Sequence, residues 1–220
     1  MEIKTNPESF FVFDLDDTLF PEIRFLQSAY RHIANRLKTA VQKDLYEEMY
    51  SRYRARENVF QWLAGQYEST VPYLTTDWLL AEYRSHVPDI ELAADTRAFI
   101  DQVKKIHVPA GLITDGRSIT QRNKLKALGI ENFFTDIIIS EEFGSEKPAE
   151  RNYLFFEEKY PAREFYFFGD NTSKDFIVPA KLGWKTICML DTGSHIHKQA
   201  FDKPPVPDYT VSSFNEIKLS

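Results

Sequence analysis

The chain comprises 220 residues and carries a formal net charge of −6, with 43% hydrophobic and 27% charged residues. This composition is that of an ordinary globular protein, whereas the acidic balance excludes a diffuse attraction to nucleic acid or to anionic membrane surfaces. No apolar run approaches the ~20 residues that a membrane-spanning helix requires.

The single cysteine, Cys188, excludes an internal disulfide and a multi-cysteine metal site. It lies in an apolar run, so we expect a buried strand residue rather than a nucleophile. The N-terminus shows no secretory signal, since no basic segment precedes a long apolar one. A cytoplasmic location is therefore the simplest expectation.

The first predicted element is a buried strand, Phe10 to Phe13, that runs directly into three carboxylates at Asp14, Asp16 and Asp17. Carboxylates this close repel one another and raise one another's pKa. Such a cluster forms either a solvated turn, because Asp is common in turns, or a site for a cation or a reaction. These residues alone leave both interpretations open.

Residues 21 to 89 are predicted to form a helical insertion. Between Glu22 and about Tyr53 there is neither Gly nor Pro, and apolar residues recur at helical spacing. Shorter helices are expected at residues 59 to 67 and 77 to 86, the second with Thr76 as its N-cap. The dense charge along the insertion indicates a solvated helix face.

After the insertion, strand and helix signals alternate, which is typical of a parallel sheet with crossover helices. Strands are expected at residues 110 to 114, 136 to 140, 165 to 168, 186 to 190 and 209 to 211, and helices at 95 to 105, 118 to 128, 149 to 160 and 173 to 182. The predicted fold is α/β, with a Rossmann-like parallel-sheet core at residues 1 to 20 and 90 to 220 and the small α-helical domain between them. His195 and His197 lie in a late loop and are expected to be solvated rather than metal ligands.

Acids, a hydroxyl, a glycine turn and a lysine follow four of the predicted strands. Ligands of an open parallel sheet bind beyond the carboxyl ends of its strands, so these residues are expected to share one site. They are Asp14, Asp16, Thr114, Asp115, Gly116, Lys147, Asp170 and Asp175. Each of these residues alone could simply belong to a turn, a loop or a helix cap. Their occurrence after four different strands, however, indicates a site.

This set of side chains suits phosphoryl transfer. Carboxylate oxygens without thiolate or imidazole favour Mg²⁺. A carboxylate beside that cation stays ionised and can attack phosphorus to form an aspartyl-phosphate, while a second one two positions along can act as general acid and then base. Thr114 and the backbone N–H groups around Asp115 and Gly116 can hold the phosphoryl oxygens, and Lys147 offsets negative charge.

The same residues resemble the four motifs of the haloacid dehalogenase superfamily of phosphohydrolases. The matching segments are Asp14-Leu15-Asp16-Asp17-Thr18, Leu112-Ile113-Thr114-Asp115-Gly116, Lys147-Pro148 and Gly169-Asp170-Asn171-Thr172-Ser173-Lys174-Asp175. The resemblance implies that Asp14 is the nucleophile and a Mg²⁺ ligand, and that Asp16 is the general acid/base and a ligand through its backbone carbonyl. It also implies that Asp170 is the third protein ligand and that Asp175 orients water or Lys147.

The helical insertion resembles the cap of this superfamily, which closes over the site and shapes the substrate pocket. Asp16 favours phosphate chemistry, because the true dehalogenases of the superfamily lack this second acid. Asp115 stands where the family often carries Asn, so a side-chain role at this position is open. Residues 17 to 24 and Arg117 are weak candidates for substrate contacts.

The leading hypothesis is a Mg²⁺-dependent phosphomonoesterase that acts on a small metabolite, a sugar phosphate or a nucleoside monophosphate, through a phosphoenzyme at Asp14. An intramolecular phosphomutase would use the same residues. A response-regulator receiver, which stores phosphate on Asp as a signal, fits poorly with the helical insertion and with the second acid pair at Asp170 and Asp175. The intact acids argue against a non-catalytic binding protein.

Overall fold

The computed structural model describes all residues from Met1 to Ser220, and the chain divides into two compact units. The first comprises Met1–Ile23 and Glu91–Ser220, and the second comprises Arg24–Ile90. The predicted insertion, residues 21 to 89, overlaps the second unit. None of the helices combines the length and the apolar character needed to cross a bilayer.

The first unit is built on a six-stranded sheet in which every neighbouring pair is parallel. The strands of the chain are β1 (Glu2–Ile3), β2 (Ser9–Phe13), β3 (Ala110–Thr114), β4 (Asp136–Ile139), β5 (Glu164–Gly169), β6 (Lys185–Met189), β7 (Tyr209–Val211) and β8 (Lys218–Leu219). The sheet has the order β4-β3-β2-β5-β6-β7, which confirms the predicted α/β class. A separate parallel pair, β1 with β8, was not predicted.

Strand β2 is the centre of this sheet, between β3 and β5. Its apolar residues Phe10 to Phe13 are completely buried, as expected for a strand that is covered on both faces. Phe13 stacks on Phe168 with ring centroids 4.6 Å apart, and Phe10 packs against Phe165 at 5.4 Å. Burial of each such side chain stabilises the fold by about 1.5–3 kcal/mol, so this strand fixes the position of the acids that follow it.

The helices are α1 (Glu22–Val41), α2 (Tyr46–Arg54), α3 (Val59–Tyr67), α4 (Thr76–Ser85), α5 (Ala94–Lys105), α6 (Ser118–Leu128), α7 (Ser140–Phe143), α8 (Glu150–Lys159) and α9 (Ile177–Lys181). The second unit contains most of α1 together with α2 to α4 and has its own buried side chains, among them Ile33, Met49, Leu63 and Leu79. Within it, the Ser28 hydroxyl lies 3.2 Å from His86 Nε2 and accepts a hydrogen bond from the backbone N–H of Asp89 at 2.8 Å.

The helical segment predicted from Glu22 to about Tyr53 consists of two helices, α1 and α2, which are separated by residues 42 to 45. Gln42 has a left-handed backbone with φ of 51°. Asp44 Oδ1 then accepts a hydrogen bond from the backbone N–H of Tyr46 at 3.0 Å. An Asp side chain that bonds to nearby backbone competes with helix formation, so the break needs neither Gly nor Pro.

Three other predicted helix boundaries also shift. Helix α4 is capped by Thr75 and not by Thr76, since the Thr75 hydroxyl accepts from the backbone N–H of Trp78 at 3.1 Å. Helix α5 begins at Ala94, one residue before the predicted start, and the carboxylate of Asp95 in its first turn accepts from the Ser213 hydroxyl and the backbone N–H of Phe214. Residues 173 to 176 form turns, and α9 begins only at residue 177.

Candidate active site

The carboxyl ends of the central strands open onto one small cavity of about 110 Å³. Its lining is Asp14, Asp16, Glu22, Thr114, Asp115, Lys147, Asp170, Asn171, Lys174 and His197. Six of the eight predicted site residues are in this lining. Asp175 lies behind it, in contact with Lys147, and Gly116 lines a different surface cavity. The structure thus brings together acids and lysines from four separate segments of the chain.

Asp14 continues directly from β2 and is only 5% exposed. Its Oδ1 accepts a hydrogen bond from Lys147 Nζ at 2.6 Å, and its Oδ2 accepts one from the Thr18 hydroxyl at 3.3 Å. Burial raises the pKa of Asp14 well above its usual range, with Lys147 opposing this effect and the Asp175 and Asp170 carboxylates adding to it. A cation beside this group would favour its ionised, nucleophilic form.

Lys147 lies between two buried carboxylates, with Nζ 2.6 Å from Asp14 Oδ1 and 2.8 Å from Asp175 Oδ1. Burial alone would lower the pKa of Lys147, but the Asp14 and Asp175 carboxylates outweigh it, so the pKa is raised and the ammonium group is charged. The side chain is therefore a fixed positive charge at the point where a phosphoryl group would add negative charge.

Asp16 is held by two residues, Lys124 and Gln121, that lie outside the motifs of the sequence. Lys124 Nζ lies 2.6 and 2.8 Å from the two Asp16 oxygens, and Gln121 Nε2 donates to Asp16 Oδ2 at 3.0 Å. Gln121 also donates to the Thr114 hydroxyl oxygen at 2.6 Å. Both residues come from α6, which follows β3, and their spacing of three places them on one helix face. That spacing, just after the second motif, is the only sequence signal that pointed to them.

Asp115 has a side-chain role that the sequence left open. Its Oδ2 forms an ion pair with Lys174 Nζ at 2.6 Å, and its Oδ1 accepts from the backbone N–H of Lys147 at 3.0 Å. The carboxylate therefore ties the segments that carry the two lysines to the end of β3.

Gly116 does not line the cavity that contains the other predicted phosphate-binding residues. Its backbone N–H donates to the Ser140 hydroxyl oxygen at 2.9 Å, so this donor already has a partner. Its φ of 137° is a conformation that residues with a side chain rarely adopt. Gly116 therefore shapes the turn after β3, and its contact with phosphate stays a prediction.

Asp175 organises the turn that carries Asp170. Its Oδ2 accepts hydrogen bonds from the backbone N–H groups of Asp170 at 3.2 Å and Asn171 at 2.9 Å. These bonds replace the first turn of the predicted helix at residues 173 to 182, which explains its late start. A Cβ at Gly169 would lie 2.7 Å from Asp175 Oδ2, so only glycine fits at the end of β5.

Gly169→Ala is expected to destabilise the protein by about 1–3 kcal/mol, because the new methyl group must displace Asp175 from its two backbone partners. Urea unfolding measures this loss. Gly65→Ala is the matched control, since a Cβ at Gly65 in α3 meets nothing within 4 Å. The control is expected to be neutral or slightly stabilising. A Gly169→Ala variant as stable as the unchanged protein would contradict this account of the turn.

His195 was predicted to be solvated, but its side chain lies beside the acids and is largely shielded from solvent. Its side chain is 9% exposed, and Nδ1 lies 3.5 Å from Asp170 Oδ2. Burial lowers the pKa of His195, but the contact with Asp170 and the charges of Asp17 and Asp191 outweigh this and raise it. His197 is exposed and also lines the cavity.

The loop after β6 folds back on the site through hydrogen bonds to its backbone. Asp17 Oδ2 accepts from the backbone N–H of Ile196 at 2.7 Å, and its Oδ1 accepts from that of Glu22 at 2.8 Å. Gln199 Nε2 donates to the backbone carbonyl of Asp170 at 2.8 Å. Asp17 therefore fixes both the start of α1 and the loop that carries His195.

The acidic residues fit a divalent cation. Carboxylate oxygens of Asp14, Asp170 and Asp175 lie within 4.8 Å of one another. Asp170 Oδ2 is buried and makes no hydrogen bond, and its one charged contact is His195 Nδ1 at 3.5 Å, so its charge is only partly compensated. An all-oxygen group of this kind suits a hard cation. The Asp16 carboxylate is not part of this group, since Lys124 and Gln121 engage it.

Comparison with known proteins agrees with this geometry. The sequence matches the family described as haloacid dehalogenase-like hydrolase over residues 11–189. It is 29% identical to a glyceraldehyde 3-phosphate phosphatase of Methanocaldococcus jannaschii over 94% of this chain and 93% of the relative. A protein of the same name from Methanopyrus kandleri is 24% identical over 94% of each chain.

Solved structures share the fold. The HAD-hydrolase YfnB from Bacillus subtilis, whose crystal structure contains magnesium, superimposes with a TM-score of 0.65. The alignment covers 96% of this chain and 97% of that chain at 20% sequence identity.

Proposed function

Because the chain belongs to the haloacid dehalogenase-like hydrolase family, we propose that it is a Mg²⁺-dependent phosphatase that acts on a small sugar phosphate through an aspartyl-phosphate at Asp14. It is a hydrolase of phosphoric monoesters. The main support for the proposal is Asp14, whose buried carboxylate oxygen Oδ1 lies 2.6 Å from the charged Lys147 Nζ in a small cavity lined by acids. The names of two relatives, both glyceraldehyde 3-phosphate phosphatases, favour a sugar phosphate over a nucleotide.

In the first step, an oxygen of the Asp14 carboxylate attacks phosphorus, and the bond from phosphorus to the leaving-group oxygen breaks. Asp16 donates a proton to that oxygen as it leaves. Lys124 and Gln121 hold the Asp16 carboxyl group in one orientation through hydrogen bonds of 2.6 to 3.0 Å. In the second step, Asp16 takes a proton from water, which attacks the aspartyl-phosphate and releases phosphate.

Thr114 is suited to hold a phosphoryl oxygen. Its hydroxyl oxygen already accepts from Gln121 at 2.6 Å, so its own proton is free for donation. Lys147 supplies a positive charge at the same place, and the buried surroundings strengthen both interactions. These groups stabilise the charge that develops on the phosphoryl oxygens.

The cation of the proposal would be held by the carboxylates of Asp14 and Asp170, with the Asp16 backbone carbonyl as the ligand that the family resemblance implies. When bound, Mg²⁺ offsets the charge of the phosphoryl oxygens and keeps Asp14 ionised. Asp175 would orient this group through Lys147 and the backbone of Asp170. We further propose that the helical unit serves as the family's cap domain and that the protein is cytoplasmic.

Removal of divalent cations is expected to lower phosphate release from p-nitrophenyl phosphate by about 10²-fold or more, because the buried acids then repel the phosphate dianion. The assay compares the protein in EDTA with the same sample after MgCl₂ is added back. Circular dichroism in EDTA checks that the fold persists. Undiminished turnover in EDTA would contradict the cation requirement, and isomerisation of a sugar phosphate without net phosphate release would indicate a mutase.

A further inference from the structure

Glu22 is an acid in the cavity to which the proposed mechanism gives no role. It is the first residue of α1, and its backbone N–H is fixed by Asp17 Oδ1 at 2.8 Å. Its carboxyl group lines the same cavity as Asp14 and Asp16. The helix start therefore directs an acidic side chain to the place where a substrate would bind.

Glu22 also differs from the other acids of the cavity, because each of those has a partner of opposite charge. Asp14 pairs with Lys147, Asp16 with Lys124, Asp115 with Lys174, and Asp170 with His195. The Glu22 carboxyl group makes no hydrogen bond and no ion pair with any residue of the chain. Burial is the largest cause that raises the pKa of Glu22, to about 8; the Asp16 carboxylate adds to this effect, and the charge of Lys124, which is bonded to Asp16, opposes it. Such a group is costly unless a ligand meets it.

The charges around Glu22 restrict what that ligand can be. The lysines of the site are already engaged by carboxylates, and a divalent cation would be engaged by the phosphoryl group being transferred. No lysine of the cavity lining is therefore left unpaired for a second anionic group on the substrate. A hydroxyl group, by contrast, suits a carboxyl group in either protonation state, because it can both donate and accept a hydrogen bond.

We propose that Glu22 is the residue that selects the leaving group, by binding a hydroxyl of an uncharged polyol or aldehyde phosphate and by disfavouring substrates with a second anionic group near the ester. This inference rests on the proposed phosphatase activity and deepens it. Glu22 would contact the part of the substrate that leaves, whereas Asp14, Thr114 and Lys147 would contact the part that is transferred.

The test compares kcat/KM for glyceraldehyde 3-phosphate and for 3-phosphoglycerate, which carries a carboxylate in place of the aldehyde. The unchanged protein is expected to prefer the aldehyde by about 10²-fold, because the acids that line the cavity repel a second anionic group and the lysines of the lining are already paired. Glu22→Gln keeps the shape of the side chain and replaces the acid with an amide, whose N–H groups can donate to a carboxylate at any pH, so it is expected to narrow this preference by about tenfold. Glu158→Gln, at an exposed position of α8, is the control and should preserve the preference.

A wild-type preference for 3-phosphoglycerate, or an unchanged ratio in Glu22→Gln, would overturn the inference while leaving the phosphatase activity established. Phosphoethanolamine is included because an amine would pair with an ionised Glu22. If it were the best substrate, Glu22 would select a cation instead of a hydroxyl. Failure of the unchanged protein to release phosphate from any of these compounds or from p-nitrophenyl phosphate would refute the proposed function itself.

Discussion

Asp14→Asn is expected to lower the rate of phosphate release by about 10⁴-fold or more, because the amide that replaces the carboxylate cannot attack phosphorus. The substitution is nearly isosteric, so the packing at the end of β2 changes little. It removes the negative charge that faces Lys147 at 2.6 Å, but Asp175 still faces the same ammonium group at 2.8 Å. We therefore expect the lower rate of phosphate release to arise in the chemical step.

Phosphate release under saturating substrate measures this loss, and mass spectrometry after rapid acid quench detects the phosphoenzyme. The unchanged protein should show an adduct of one phosphoryl group, and Asp14→Asn should show none. Asp101→Asn makes the same chemical change on an exposed face of α5 and should behave as the unchanged protein does. An adduct that persists in Asp14→Asn would assign the nucleophile to another residue.

Lys147→Met is expected to destabilise the protein by about 3–5 kcal/mol at neutral pH and to lower turnover by about 10²-fold. The variant retains two buried carboxylates, Asp14 and Asp175, without the cation that lies between them. Both effects have one cause, since the ammonium group that stabilises these acids also faces the phosphoryl site.

The destabilisation should depend on pH in a defined direction. Burial already raises the pKa of Asp14, and without Lys147 that pKa rises further above its value in the unfolded chain. The folded variant then binds a proton at Asp14 more tightly than the unfolded chain does. The loss of free energy of unfolding is therefore complete above the raised pKa of Asp14, and it disappears as the pH falls towards the pKa of Asp14 in the unfolded chain. Urea unfolding at about pH 8 and about pH 5.5 should therefore show a smaller difference from the unchanged protein at the lower pH. Lys105→Met, at an exposed position, is the control, and an equal deficit at both pH values would contradict this reasoning.

The core of the fold could be predicted because its determinants are local. Phe10 to Phe13 form an unbroken apolar run, which a strand buried on both faces requires, and the structure places that strand at the centre of the sheet. The parallel order then brings the residues after each strand to one edge. This geometry explains why Asp14, Thr114 and Asp170 line one cavity although they are far apart in the sequence.

The parts that could not be predicted depend on long-range contacts. Lys124 has the sequence context of an ordinary exposed helix lysine, and only the folded position of α6 brings it to Asp16, which follows β2. His195 lies in a polar loop that is folded inward by Ile196 bonding to Asp17 and by Gln199 bonding to Asp170. No local pattern encodes these pairings. The roles assigned to the individual site residues stay predictions until variants are assayed.

The position of β2 between β3 and β5 also links the stability of the folded protein in a cell to the supply of divalent cation. Asp14 and Asp170 lie at the ends of β2 and β5, so they meet once these strands, which are distant in the sequence, have paired. Contacts between distant parts of a chain are in general slow to form. A cation held by these acids therefore binds the completed sheet and not the unfolded chain. At a concentration 100-fold above its dissociation constant, it would add about 2.7 kcal/mol to the free energy of unfolding. The supply of free divalent cation would then influence how much of the protein escapes proteolysis, and not only how fast each molecule turns over.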